Sequence, residues 1–371
     1  MVIPAYTRED VLRLPQQRPP LPTPGGPVVR AASALEIIQA IEEAEDGSTI
    51  VIAKGHYRMP RDCILTKHRV VIRGETGNRE DVILDGGMEF DDDTPVFRTR
   101  NGAPALIKIA HARGVTIADL TVANNPKYGI LFFGDAGVHD LKIWNVKFHN
   151  NWARGLKGTA ARSYDDRGYP PEVLPVSPEA LARIRPRGGE VRGCLFICDH
   201  AKRNDKDQFN GDYIAGMDLM NLKDWVISGN IFVGLRGKNG EGRGAVFIWN
   251  QSEGVTVEDN VFFDCDRCVA LGNPSGKAGK PFHIRGATVR GNLLLGGSGK
   301  GIEIDYGDEI TISGNRIASA VRSAHAAIHA IDIASTALVT GNEIVRGTGP
   351  TYNLDSKVRV VDDRVVEAEK T

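Results

Sequence analysis

The segment Val255-Thr-Val-Glu-Asp-Asn260-Val-Phe262 indicates the type of fold, because it recurs along the chain. In each copy, apolar residues alternate with other residues up to a shared asparagine. The other clear copies carry that asparagine at Asn230, Asn292, Asn315 and Asn342. Earlier copies keep the apolar pattern and replace the asparagine by Leu120, Val146 and Cys194. The shortest interval, from Asn292 to Asn315, is 23 residues. That interval sets the basic repeat, and longer intervals carry insertions.

A second alternating segment, such as Gly301-Ile-Glu-Ile, follows each copy. Such short strands, two or three to a repeat, cannot form hairpins of normal length. They can wind into coils whose equivalent strands stack in parallel about 4.8 Å apart, with the asparagines hydrogen-bonded along the axis. A β-propeller is the rival, but it needs four strands in each blade of roughly 40 residues. The repeat therefore predicts an all-β parallel β-helix.

The ends of the chain differ from the repeat. Ser33 followed by Glu36 has the spacing of a helix-capping box, and an apolar stripe of alanine and isoleucine runs to Gly47 at the expected C-cap. This pattern predicts a short helix that caps the first coil. Three segments result: a proline-rich extended arm at 1–30, the β-helix domain at 31–350, and a capping segment or tail at 351–371.

Composition excludes several classes of protein. The 371 residues carry a net charge of −1, with 46 Lys and Arg against 47 Asp and Glu. This balance disfavours a nucleic-acid partner, and no apolar run approaches the roughly 20 residues that span a membrane. The N-terminus lacks the basic and apolar regions of a signal peptide. Localisation is left open: cytoplasmic, or secreted or periplasmic with a leader already removed.

The capping helix, the segment GSTIVIAKGHYR at 47–58 and the repeated V-x-I-x-G-N-x-I coils together resemble the pectate-lyase-like superfamily. The resemblance spans roughly residues 31–347. It implies a single-stranded, right-handed parallel β-helix and an acidic polysaccharide or oligosaccharide as partner. Members include pectate, alginate and chondroitin lyases, pectin hydrolases, uronan epimerases and phage tailspikes, so the resemblance leaves the reaction open.

Chemistry must lie on outward positions, because inward side chains fill the core. With the glycine of each second segment as position zero, the outward row reads Leu131, Lys157, Asp218, Ala270, Glu303 and Asp332. In the segment that contains Gly244, the inward and outward alternation fits best with Ala245 as position zero, so Phe247 and Trp249 are expected to point outward. A row of cations precedes these strands at Arg154, Arg243, Arg267 and Lys300. Such a row suits a polyanionic sugar chain, and the alternative is a solvated face neutralised by the acidic residues.

Two insertions predict a cleft beside these strands. One covers 159–188 and contains Tyr164, and the other covers 199–213 and contains His200 and Tyr213. Long polar loops in compact folds are often functional. They are expected to rise beside the strands that carry Lys157, Asp218 and Trp249.

β-Elimination is the preferred reaction, since a cation can neutralise the uronate carboxylate while a base removes the adjacent proton. The predicted catalytic residues are Lys157, Arg154, His200 and Arg243, with Tyr164 and Tyr213 as further candidate acids or bases. The predicted substrate-binding residues are Tyr164, Tyr213, Asp218, Trp249, Arg267, Lys300 and Glu303. A hydrolase using Asp218, Asp199, Asp212 and Asp224 is one alternative. A non-catalytic glycan-binding module using Phe247 and Trp249 is the other.

Metal ligands are not evident from the sequence. Lyases of the superfamily combine a lysine and arginine pair with calcium bound by asparagine and glutamate, but that motif does not align with this chain residue by residue. No metal ligand is therefore assigned, and Ca²⁺ is the one cofactor that the resemblance brings into consideration. The five cysteines lie too far apart in the predicted coils for a zinc site, so reduced thiols are expected.

Overall fold

The computed structural model describes residues 6–91, 94–96, 105–160, 177–200, 212–277, 280–318 and 324–367. The chain winds through successive coils, so that equivalent strands of neighbouring coils pair in parallel. Most coils contribute one strand to a ten-stranded sheet and two strands to a 21-stranded sheet. We call the first the site sheet and the second the ladder sheet. The prediction of a parallel β-helix is confirmed.

The strands of the site sheet are Cys63–Leu65, Ala105–Ile109, Tyr128–Phe132, Arg154–Gly158, Ala215–Met220, Gly244–Trp249, Val269–Gly272, Ile302–Asp305, Ile328–Ile331 and Tyr352–Leu354. The strands of the ladder sheet are Val28–Ala31, Thr49–Ile52, Gly55–Arg58, Val71–Gly74, Val82–Asp85, Thr116–Ala123, Lys142–His149, Glu190–Arg192, Leu195–Ile197, Val226–Ser228, Ile231–Val233, Thr256–Glu258, Val261–Phe263, Thr288–Arg290, Leu293–Leu295, Ile310–Ser313, Arg316–Ala318, Ala337–Thr340, Glu343–Val345, Val358–Val361 and Arg364–Val366. A three-stranded sheet holds Ser252–Glu253, Ile284–Arg285 and Gly307–Asp308, and an antiparallel pair holds Glu89–Asp91 and Thr94–Val96. The helices are Arg8–Leu12, Ala34–Glu42 and Pro178–Ile184, with a 3-10 turn at Arg79–Asp81.

The repeated asparagines form a continuous ladder within the ladder sheet. The backbone N–H and the Nδ2 amide of Asn260 both donate to Oδ1 of Asn292, at 3.0 Å each. The Nδ2 amide of Asn260 also donates to the carbonyl of Ile227 in the preceding coil, at 3.0 Å. The same pattern joins Asn230, Asn260, Asn292, Asn315 and Asn342. It satisfies buried turn groups that water cannot reach.

The backbone conformation of the residue before each ladder asparagine explains why the repeat has a glycine at that position. Gly229, Gly291, Gly314 and Gly341 all have φ between 62° and 64°. That left-handed conformation is open to glycine and tolerated by aspartate or asparagine, and Asp259 takes the same place with φ 54°. The tight turn therefore selects the Gly-Asn pair that reveals the repeat.

Inward side chains stack on one another along the axis. The rings of Phe148, Phe196, Phe232 and Phe262 lie parallel in consecutive coils, with centroids 4.5 to 4.8 Å apart. This spacing matches the distance between paired strands, so each ring covers the next. Because these packed side chains fill the interior, functional side chains must lie on the outward faces of the coils.

The helix Ala34–Glu42 covers the first coils and buries Ile37, Ile38 and Ile41. Ser33 accepts a hydrogen bond from the Glu36 backbone at 3.2 Å, as the capping spacing predicts. The expected C-cap was wrong, because the cap residue is Glu43 and Gly47 follows in a separate turn with φ 81°.

Residues 1–30 are not wholly extended. A capping box at Thr7 starts the helix Arg8–Leu12, and Val11 of that helix is fully buried against apolar residues of the ladder sheet. Arg18 then donates two hydrogen bonds to the buried Asp119, at 2.6 and 2.9 Å. The arm is therefore attached to the solenoid.

The segment 351–371 continues the coil pattern as far as it is described. Its three strands pair with the coil before them, and the Asp363 carboxylate accepts the last hydrogen bonds of the asparagine ladder. None of the helices in the described residues is long and apolar enough to cross a membrane.

Candidate active site

Strand register sets the outward row of the site sheet. Residues paired between neighbouring strands run from Lys157 through Asp218, Phe247 and Ala270 to Glu303. The next member of the row is His329, because Ile302 pairs with Ile328 and Glu303 pairs with His329. The predicted member Asp332 was wrong, since it lies beyond the strand in a turn with φ 53°.

The cation row is less regular than predicted. Arg154 pairs with Ala215, and Ala215 pairs with Gly244 on the following strand. Gly244 therefore occupies the position of the row in this coil, and Arg243 precedes that position by one residue. The Nη2 group of Arg243 approaches Oδ1 of Asn273 at 3.5 Å. Its guanidinium carbon lies 5.0 Å from the centre of the Phe247 ring. Burial, followed by the charges of Arg267 and Arg154, lowers the pKa of Arg243.

Lys157, Arg154 and Asp218 form a buried ion cluster on adjacent coils. Oδ2 of Asp218 accepts hydrogen bonds from Lys157 Nζ at 2.8 Å and from Arg154 Nε at 3.1 Å. Oδ1 accepts from Trp249 Nε1 at 3.2 Å. Burial alone would raise the pKa of Asp218, but Lys157 and Arg154 outweigh it and lower that pKa below its ordinary value. One carboxylate thus serves two cations, and the cluster retains an excess positive charge.

Aromatic rings surround this cluster. The Arg154 guanidinium carbon lies 3.9 Å from the centre of the Tyr213 ring, a cation–π contact. The rings of Phe247 and Trp249 stack with centroids 5.7 Å apart. Burial and contact with Tyr213 raise the pKa of Tyr128, which occupies the Arg154 position one coil earlier. The structure therefore brings together Arg154, Lys157, Tyr213, Asp218 and Trp249, all predicted site residues.

A second cluster lies further along the sheet. The Glu303 carboxylate accepts from Arg267 Nη1 at 3.0 Å and is also paired with Lys300. Asp305 follows on the same strand, and His329 lies on the next. Ligand atoms of Glu303, Asp305 and His329 all lie within 4.8 Å of one another, and each residue is buried. We call these three residues the Glu-Asp-His cluster.

The two clusters are separate sites on one surface. Four coils separate Lys157 from Glu303, which corresponds to about 19 Å at the usual strand spacing. The predicted substrate-binding residues Arg267, Lys300 and Glu303 therefore do not contact the Lys157 cluster. A linear ligand along the sheet would have to span several coils to reach both.

Of the remaining candidate site residues in the two insertions, the structure describes His200 but not Tyr164. Tyr164 lies outside the described residues, as do most of 159–188 and of 199–213. His200 follows the ladder-sheet strand Leu195–Ile197, and its carbonyl accepts from the Cys198 thiol at 3.0 Å. Its neighbour Asp199 pairs with His149 at 2.6 Å. His200 therefore belongs to the corner between the two sheets.

The carboxylates suggested for a hydrolase do not converge. Asp199 pairs with His149, and Asp212 accepts two hydrogen bonds from Asn239, at 2.8 and 2.9 Å. Asp224 is exposed in a turn with φ 55°. Asp218 is thus the single member of that set in the Lys157 cluster. The five cysteines are buried reduced thiols, as expected, and burial raises the pKa of Cys63, Cys194 and Cys265 to about 12.

Sequence reasoning missed Asp305, His329 and Tyr128. His329 was hidden because Ala330-Ile-Asp-Ile looks like Gly301-Ile-Glu-Ile, whereas the register pairs Ile302 with Ile328. An alignment of Gly301 with Ala327 would have found it. Asp305 could have been predicted from the sequence, because it is the next outward residue after Glu303 on the same strand.

His283 lies buried beside the Trp249 ring, and its environment predicts that the stability of the protein depends on pH. Its Nε2 hydrogen-bonds to the Ser275 carbonyl at 2.9 Å, and its ring meets Trp249 and Tyr306 edge-on. Burial lowers its pKa to about 4, against about 6.5 in an unfolded chain. The unfolded state therefore binds the proton first as the pH falls. This contribution to stability is complete above pH 6.5 and is lost between about pH 6.5 and 4, a loss of about 3 kcal/mol.

Urea unfolding at pH 7 and pH 4 measures this effect. His283→Gln keeps a donor for Ser275 and removes the titration, so its stability should fall less between the two pH values than that of the unaltered protein. His111→Gln, at an exposed histidine, is the control and should retain the full loss. Equal losses in all three proteins would contradict the assignment to His283.

Comparison with solved structures shows that this fold is shared. An endo-xylogalacturonan hydrolase from Aspergillus tubingensis superposes with a TM-score of 0.57 at 13% identity, covering 92% of this chain and 93% of the other. A lacto-N-biosidase from Eubacterium ramulus gives 0.56 at 12% identity, covering 92% and 68%. The tailspike of E. coli bacteriophage HK620, in complex with a pentasaccharide, gives 0.53 at 11% identity, covering 89% and 57%. The chain is a right-handed parallel β-helix.

Sequence comparison adds one match. The model of the NosD family, described as periplasmic copper-binding protein, matches residues 192–357 of this β-helix. That match covers less than half of the chain. No curated protein shows significant sequence similarity to this β-helix. The similarities therefore establish the fold, and the function has to be argued from the site.

Proposed function

We propose that this β-helix binds an acidic, uronic-acid-containing polysaccharide along the site sheet and cleaves it by β-elimination. The observation that carries the proposal is the Lys157 cluster. Two buried cations share the single carboxylate of Asp218 beside the stacked rings of Phe247 and Trp249. The excess positive charge suits a uronate carboxylate, and aromatic rings suit the apolar face of a sugar.

The charges suggest a division of roles. Lys157 Nζ is paired with Asp218 at 2.8 Å, so we assign it with Arg154 and Arg243 to neutralising the substrate carboxylate. Tyr213, whose ring lies against Arg154, is assigned to proton transfer. Tyr213 acts as the base and removes the proton next to the carboxylate, and that electron pair forms the new carbon–carbon double bond. The glycosidic bond breaks, and its oxygen leaves with the proton that Tyr213 has taken up.

A panel of uronic-acid polysaccharides, with added calcium and with chelator, tests the reaction through the ultraviolet absorbance of the unsaturated product. Lys157→Ala is expected to lower the rate at least about 100-fold, because the carbanion-like transition state loses a neutralising charge. Tyr213→Phe should lower the rate and leave binding intact. Lys67→Ala, at an exposed lysine in the turn after Cys63–Leu65, is the matched control and should retain full activity.

The same panel separates the alternatives. New reducing ends without the absorbance would indicate a hydrolase and contradict elimination. Binding without either signal would indicate a glycan-binding module. Full activity of Lys157→Ala would contradict the site even if elimination is observed.

A further inference from the structure

The Glu-Asp-His cluster lies outside the proposed elimination site and has a different composition. Glu303 and His329 are paired residues of adjacent strands, and Asp305 faces the same side two residues after Glu303. Their exposed fractions are 3%, 2% and 7% for Glu303, Asp305 and His329. Burying two carboxylates and an imidazole this close together is unfavourable unless a positive charge compensates them.

Part of that compensation is missing in the protein itself. Arg267 and Lys300 both approach Glu303, and Arg267 also pairs with Glu241. Oδ1 of Asp305, in contrast, is buried and has no hydrogen-bond partner among the described residues. It lies 3.8 Å from Nε2 of His329, beyond hydrogen-bond distance. A buried carboxylate oxygen thus points towards an imidazole nitrogen without contacting it.

We propose that Glu303, Asp305 and His329 bind a divalent metal ion of the zinc class. Within this cluster, an ion between Asp305 Oδ1 and His329 Nε2 would give the buried carboxylate oxygen the partner that it lacks. Zinc commonly takes imidazole nitrogen and carboxylate oxygen at about 2.0–2.2 Å. Calcium instead takes six to eight oxygen ligands, so the imidazole distinguishes the two classes. Three protein ligands leave a fourth position open to water or to a ligand.

The surroundings of His329 fit this role. Nδ1 of His329 lies 2.9 Å from the side-chain amide of Asn353, on the next strand of the site sheet. Metal binding through Nε2 places the ring proton on Nδ1, and the oxygen of the Asn353 amide can accept it once the amide is turned over. Such a partner fixes the orientation of a ligating imidazole.

Nearby charges permit a cation while limiting its affinity. Glu303 and Asp305 contribute two negative charges, and Arg267 and Lys300, both beside Glu303, contribute two positive charges. The unpartnered oxygen of Asp305 is therefore the acceptor that remains for a divalent ion. Lys300 and Arg267 hold the Glu303 carboxylate in place and compete with the ion for its oxygens.

Calorimetric titration of the chelator-treated full chain with Zn²⁺ and, separately, with Ca²⁺ tests the proposal. We expect one equivalent of Zn²⁺ to bind at least about tenfold more tightly than Ca²⁺, and to raise the melting temperature. Asp305→Asn and His329→Ala should each weaken Zn²⁺ binding at least about tenfold. His56→Ala, at an exposed histidine that also pairs with a carboxylate, that of Asp85, is the matched control and should bind Zn²⁺ normally.

The readouts do not depend on polysaccharide cleavage, so failure of the elimination assay leaves this proposal standing. Melting curves without metal establish that each variant is folded. If His329→Ala does not fold, the proton NMR spectrum of the Co²⁺-loaded unaltered protein reports whether an imidazole is bound, through its strongly shifted ring N–H signal. Absence of Zn²⁺ binding, or Zn²⁺ binding that survives both Asp305→Asn and His329→Ala, would overturn the site. Ca²⁺ binding that is tighter than Zn²⁺ binding would overturn the metal class.

Discussion

Asp218→Ala is expected to lower the free energy of unfolding by about 3–5 kcal/mol, because it removes one member of a buried ion cluster. Arg154 and Lys157 are 0% and 6% exposed, and both direct their charges at this carboxylate. Without it, two buried cations repel each other, and the Trp249 indole loses its acceptor. Urea unfolding followed by circular dichroism measures the change.

Two further variants define the cause. Asp218→Asn keeps the side-chain volume and removes the charge, so it should lose most of the same free energy. Glu367→Ala, at the exposed pair of Glu367 with Arg346, should leave the unfolding midpoint close to that of the unaltered protein. An unfolding midpoint of Asp218→Ala that matches the unaltered protein would mean that water reaches Arg154 and Lys157.

Asn292→Ala is expected to lower the free energy of unfolding by about 3–5 kcal/mol as well, because several buried groups lose their partners together. The lost Oδ1 accepts two hydrogen bonds from Asn260, and the lost Nδ2 donates to the Val257 carbonyl and to Asn315. Each unsatisfied buried group costs about 1–3 kcal/mol. Urea unfolding at neutral pH measures the loss.

The end of the ladder provides the matched control. Asp363→Asn keeps an oxygen acceptor for the backbone N–H and the amide of Asn342, so its stability should stay close to that of the unaltered protein. Equal destabilisation by Asn292→Ala and Asp363→Asn would show that the interior of the ladder has no special role.

The sequence predicted the features that depend on local interactions and recur in each coil, namely the Gly-Asn turn and the alternation of inward and outward residues. The Gly-Asn turn needs a left-handed residue followed by an amide, and this requirement leaves a visible pattern at Gly291 and Asn292. The inward and outward alternation then placed Lys157, Asp218 and Trp249 on one surface. Strands of fixed period therefore revealed both the parallel coils and the main outward row.

Register across insertions could not be predicted in the same way. Ile328-His329-Ala330-Ile331 and Ala330-Ile331-Asp332-Ile333 alternate almost equally well, and only the pairing with Ile302–Asp305 distinguishes them. The separation of the cations into two clusters was also hidden, because it depends on which coil supplies each carboxylate. Asp218 pairs with Lys157 through space, 61 positions along the chain from it.

The asparagine-to-asparagine hydrogen bonds of the ladder have one direction, because each side-chain amide donates to the asparagine oxygen of the next coil and each oxygen accepts from the asparagine of the previous coil. At Asp363 the direction ends: one oxygen accepts from Asn342, the other accepts from the Tyr352 hydroxyl, and a carboxylate has no proton to pass on. A second solenoid stacked on this edge would bury that charge and receive no donor from it. Among the described residues, the last rung therefore carries a charge in place of a further donor, which disfavours the stacking of another asparagine rung on it.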